Sequence, residues 1–167
     1  MTPATMPTEI SLRLCDLLTE DRILVDSDGG FVKGKLDALR ILAHKLAEEV
    51  GTDHATVERL LIDRERLQST GIGDGVAVPH TSTDSASRQS VALIICPQGV
   101  PFDAIDGQDV KIIFGVVGPR RATGEHLRIL ARISRLLRDS ATRNELVNST
   151  SNETAYELIK RHDAALR

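Results

Sequence analysis

The spacing of apolar residues changes period several times along this chain, and each change marks an element. Leu36, Leu39, Leu42, Ala43, Leu46, Ala47 and Val50 recur at helical spacing and Gly51 follows as a stop, which predicts an amphipathic helix over 35–50. A second helix is expected from Asp53 to about Arg66, with Val57, Leu60 and Leu61 on one side. Val76-Ala77-Val78 reads as a short buried strand whose exit is stiffened by Pro79. The runs 91–96 and 110–117 are continuously apolar and rich in β-branched residues, as expected of strands covered on both faces, and Pro97 and Pro119 end them. Between these strands, 81–89 is polar and serine-rich and reads as a loop.

Helical spacing returns over 124–137. Leu127, Leu130, Ile133, Ser134 and Leu137 form the expected inward face, with Arg128, Arg132 and Arg135 as a solvated basic stripe. Two short helices are expected near 141–147 and 154–164, and Thr150 with Glu153 fits a capping box ahead of the last. Residues 1–9 are Pro/Thr-rich and read as a frayed tail, which leaves 10–167 as the folded part. Strands alternating with helices, without a repeat or an internal break, predict one α/β domain with helices on both faces of the sheet.

Composition narrows the function. At 167 residues the chain buries a core without help from metals or disulfides. Cys15 and Cys96 are far apart and fit no Cys-x-x-Cys spacing, so they read as reduced, structural thiols. A net charge of −3 with only 2% aromatic residues argues against nucleic acid, which selects basic patches and stacking side chains. No apolar run is long enough to span a bilayer and no signal peptide opens the chain, so a cytoplasmic location without membrane insertion is expected. The absence of G-x-x-x-x-G-K-[ST], of H-E-x-x-H and of a Cys/His cluster leaves no expected nucleotide, metal or other cofactor.

The chemistry concentrates in Ser69-Thr70-Gly71-Ile72-Gly73-Asp74-Gly75-Val76-Ala77-Val78-Pro79-His80. Gly71, Gly73 and Gly75, with Thr70 before them, leave backbone N–H groups open to an anion, and Asp74 reads as a turn former. A rigidly held His80 beside such a loop is suited to accept a phosphoryl group covalently. His126 falls in the first turn of its helix and points toward the core. There the helix dipole depresses its proton affinity, so that a neutral ring donates one N–H to phosphoryl oxygens or orients His80. Arg64 carries a planar fork of donors, which by itself reads as an exposed helical arginine paired with a nearby acid and which also suits a phosphate dianion. His44, His54 and His162 carry no expected function.

The stretch from Arg64 to His80 resembles the active-site signature of EIIA domains of the fructose/mannitol class of the phosphoenolpyruvate-dependent phosphotransferase system. The resemblance continues through 101–108 and at Gly124-Glu125-His126-Leu127. It implies a central mixed sheet, His80 as phosphoryl acceptor, and Arg64 and His126 beside it. It also implies an HPr-type phosphocarrier as donor and an in-line relay in which the glycine loop and Arg64 stabilise the equatorial charge. One position departs: Thr81 and Ser82 stand where many members carry glycine and then a basic or small polar residue. Three functions fit. The first is a stand-alone phosphocarrier like the nitrogen-regulatory EIIA branch, acting on regulatory target proteins, favoured because the chain ends just after its last helix. The second is the EIIA subunit of a fructose- or mannitol-type transporter, passing phosphate to an EIIB cysteine. The third is a non-catalytic interaction module.

Overall fold

The structure is a computed structural model and describes residues 13–166. The expected tail over 1–9 lies outside the described residues. In chain order the main elements are β1 (Ile23–Val25), α1 (Lys35–Val50), α2 (His54–Leu67), β2 (Gly71–Gly73), β3 (Val76–Ala77), β4 (His80–Ser82), β5 (Ser90–Val100), β6 (Val110–Gly118), α3 (Thr123–Leu136), α4 (Ser140–Val147) and α5 (Asn152–Ala164). The sheet runs β1-β5-β6-β3-β2, with β4 also paired to β6. β5 and β6 are antiparallel, as are β2 and β3, whereas β1 on β5 and both β3 and β4 on β6 are parallel. It is a mixed sheet in a single α/β domain.

Strand alternation sorts the side chains into two apolar layers. Ala92, Ile94 and Cys96 of β5, with Ile113 and Val117 of β6, pack against Leu39, Leu42 and Leu46 of α1 and Val57 and Leu61 of α2. Val91, Leu93 and Ile95, with Ile112, Phe114 and Val116, meet Ile129, Ile133 and Leu136 of α3, Leu146 of α4 and Ile159 of α5. Both faces of the two long strands are therefore dry, which is why their sequence is continuously apolar. Gly115 lets α1 sit close: a Cβ there would stand 2.9 Å from the Leu42 Cδ2. Both cysteines are free, and burial pushes the Cys96 thiol up to about 12.

Several sequence expectations need correction. Pro97 does not end β5, which continues to Val100, because the ladder shifts register between Ile95 and Val100 and no bond there needs a proline N–H. Thr81 and Ser82 are not loop but belong with His80 to a short strand, paired with Val116–Gly118 at the far end of β6. Helix α3 is rotated from its expected face. His126, Ile129, Ile133 and Leu136 are buried while Leu127 is 59% exposed, and Ser134 faces solvent. Arg132 consequently leaves the solvated stripe: its Nε donates to the fully buried Asp163 carboxylate at 2.5 Å and its Nη2 to the Asp163 carbonyl at 2.8 Å. The last helix is capped one residue later than expected, by Ser151 Oγ accepting from Thr154 N at 3.0 Å.

Candidate active site

His80 opens β4 opposite Val116. By the alternation it falls on the same sheet face as Val78 and Val116, the face that α3 covers. α3 delivers His126 from its first turn, and the two imidazole centroids lie 5.9 Å apart with their planes tilted by 52°.

Each ring has one nitrogen committed. His80 Nδ1 lies 2.7 Å from the Val78 carbonyl oxygen, which can only accept, so Nδ1 carries the proton and Nε2 keeps a lone pair. His126 Nδ1 lies 3.1 Å from Oε1 of Gln89. In the neutral His126 ring Nε2 is thus also a lone pair, and only the imidazolium offers an N–H there.

Burial holds the His80 imidazole below its ordinary value of 6.5, and the Arg64 guanidinium adds to this against the opposing pulls of the Val78 carbonyl and Glu65. His126 is lowered too, first by burial and then by the neighbouring His80. Two neutral imidazoles are the consequence at pH 7, and a neutral Nε2 is a nucleophile.

Helix α2 brings the cationic and anionic groups. Its N-cap Asp53 accepts from Thr56 N at 3.2 Å, and its last turn, which runs to Leu67, carries Arg64 and Glu65. Arg64 Nη1 donates to the Gln68 carbonyl at 3.0 Å, which leaves the rest of its guanidinium fork uncommitted on a half-buried side chain. Glu65 is buried and clamps the segment that follows, accepting from Thr70 N at 2.9 Å and Thr70 Oγ1 at 2.6 Å, with Lys35 Nζ 3.2 Å away. Thr70 in turn accepts from Val78 N through its carbonyl at 3.0 Å, so α2, Thr70 and the strand leading to His80 form one rigid unit.

The glycines divide. Gly71 is a packing position, where a Cβ would stand 2.7 Å from the Ala104 Cβ, and its carbonyl accepts from Ile105 N at 3.3 Å. Gly73, Asp74 and Gly75 all have positive φ and make the tight turn of the β2–β3 hairpin, as expected of Asp74. The structure does not bring that turn to His80. The Gly75 carbonyl bonds Lys111 N and Ile112 N, whereas His80 pairs four residues further on at Val116, about 13 Å along the strand at ~3.3 Å per residue. Asp106, whose Oδ2 accepts from Asp74 N at 3.1 Å, further disfavours an anion at the tip.

Sequence reasoning left two contributors without a role. Glu65 has no sequence signal as the clamp on Thr70, and Gln89 falls within 81–89, which reads as a loop. No local spacing links Gln89 to a histidine 37 residues away. Among the described residues no group of three or more His, Cys, Asp or Glu is arranged to hold a metal, and no helix is long and apolar enough to cross a membrane.

The family model for the phosphoenolpyruvate-dependent sugar phosphotransferase system, EIIA 2, matches residues 16–162. The chain belongs to this EIIA family. The nitrogen regulatory protein of Pseudomonas aeruginosa is 34% identical over 149 residues, which span 89% of this EIIA chain and 95% of that protein. The fructose-specific EIIABC component of Bacillus subtilis is 27% identical over 152 residues, 91% of this chain and 24% of the longer protein. The crystal structure of nitrogen regulatory protein IIA-Ntr from Neisseria meningitidis matches this EIIA fold with a TM-score of 0.80 at 32% identity, covering 87% of this chain and 97% of that one.

Proposed function

We propose that this EIIA protein is a phosphocarrier that accepts a phosphoryl group on His80 Nε2 from an HPr-type phosphohistidine protein and reports its phosphorylation state to other proteins. The observation that supports the reading is the 2.7 Å contact of His80 Nδ1 with the Val78 carbonyl, which favours a lone pair on Nε2 in a ring whose centroid lies 5.9 Å from that of His126. As the new Nε2–phosphorus bond forms, the donor's nitrogen–phosphorus bond breaks, and its electron pair returns to the donor imidazole. His80 loses no proton, because Nε2 bears none. The free arm of Arg64 stabilises charge on the equatorial oxygens. Negative charge on His80 reverses the field felt by His126 and favours a proton at its Nε2, where it donates to the phosphoryl group.

The regulatory role is supported by similarity to nitrogen regulatory proteins over nearly their whole length. Transfer to an EIIB cysteine in sugar uptake is the second reading, supported by the match within a fructose-specific EIIABC component. Incubation with phosphoenolpyruvate, Enzyme I and an HPr-type carrier should add one phosphoryl mass to the wild type and none to His80→Ala. Labelling of that variant sinks the assignment. Titration of captured partners against both forms separates the two roles, since a regulatory contact must distinguish them.

A further inference from the structure

Gln89 is 3% exposed and is held at both ends of its amide. Its Nε2 donates to the carbonyl of Ala122, the N-cap residue of α3, at 3.4 Å, and its Oε1 meets His126 Nδ1 at 3.1 Å. The Ala122 oxygen only accepts, so the amide cannot turn over without setting two oxygens against each other. Space for the side chain comes from Gly118 at the end of β6, where a Cβ would fall 1.9 Å from the Gln89 Oε1. The glutamine thus ties the start of α3 to the second histidine, in space that Gly118 leaves open.

We propose that Gln89 is a positioning residue for phosphoryl transfer, fixing the plane and the tautomer of His126 so that Nε2 is the one ring nitrogen left to meet the transferred group. The proposal rests on the reading of His80 as the acceptor. The physical reason is that an amide oxygen accepts and never donates, so it selects the ring with its proton on Nδ1. An imidazole held this way needs no reorientation when the phosphoryl group arrives.

The test is nitrogen-15 NMR of the imidazoles in the full, unphosphorylated chain, together with transfer rates from a phosphorylated HPr-type carrier. In the wild type the His126 proton is expected on Nδ1. Gln89→Glu keeps an acceptor and should keep that tautomer, while Gln89→Leu should shift the proton toward Nε2. Transfer to Gln89→Leu should slow by about ten- to a hundredfold, the range found when partners orienting ligating imidazoles are removed. A wild-type proton on Nε2, or a Gln89→Leu protein with unchanged tautomer and rate, overturns the proposal. The wild-type spectrum decides the tautomer even if a variant fails to fold. Labelling of His80→Ala would instead overturn the acceptor assignment, which the tautomer measurement does not use.

Discussion

The Arg132 guanidinium and the Asp163 carboxylate form an ion pair at 2.5 Å in which the acid is wholly buried, and the same carboxylate accepts from Leu14 N at 2.8 Å through its other oxygen. α3, which carries His126, is thereby locked to α5 and to the start of the described chain. Removing one partner leaves the other without its counter-charge. Arg132→Ala should lower stability by roughly 3 kcal/mol, the low end for a broken buried pair, since Arg132 is partly solvated. The urea denaturation midpoint measures it, and an unchanged midpoint would contradict the packing described for α3.

A prediction of opposite character concerns Arg64, whose guanidinium donates to the Gln68 carbonyl through Nη1. Arg64→Ala should slow phosphoryl transfer by about 10²-fold, as loss of one preorganised donor typically does, with little change in the denaturation midpoint. Arg64→Lys should recover only part of the rate, because an ammonium lacks the planar fork. Wild-type kinetics in Arg64→Ala would return the residue to a surface role.

pH dependence follows from the two depressed imidazoles. Both His80 and His126 lie below 6.5 in the folded protein, so the unfolded chain binds their protons first as pH falls. Their stability contribution is therefore complete above 6.5 and is lost as pH falls from there through the folded values. Titration of the two C2 protons by NMR should give midpoints under 6.5, and the acceptor rate should hold down to those midpoints before falling. A midpoint above 6.5 for either ring would show that burial does not dominate the site.

Gly71 should tolerate no side chain, although its backbone lies outside the positive-φ set that includes Gly73 and Gly75. In Gly71→Ala the added methyl would stand 2.9 Å from the Ala104 Cα, a backbone-bound atom that moves only with its segment. A cost of about 1–3 kcal/mol is expected from such overpacking, read as a lower thermal midpoint. Stability equal to wild type would mean that the 101–108 segment yields easily.

Local pattern determined what depends on near neighbours. Helix α1 spans the expected 35–50 and buries its expected face except Leu36, which is exposed, and Gly51 at φ 70° provides the left-handed stop, because period and cap are set within one turn. The two long strands announced themselves by composition, and the Arg64-to-His80 stretch by its resemblance to EIIA domains. Contacts between distant segments decided the rest. α3 carries apolar residues around much of its girth, so packing against the sheet, and not spacing, chose the face with His126 inward and sent Arg132 to Asp163. Strand β4 exists only because β6 is long enough to pair with it beyond β3. Gly73 and Gly75 look like an anion cradle in one dimension, yet the parallel register on β6 carries their turn away from His80. The partner of His126 is the Gln89 amide, 37 residues away in the chain. Only folding chooses such partners, since a hydrogen bond acts over about 3 Å of space whatever the separation in sequence.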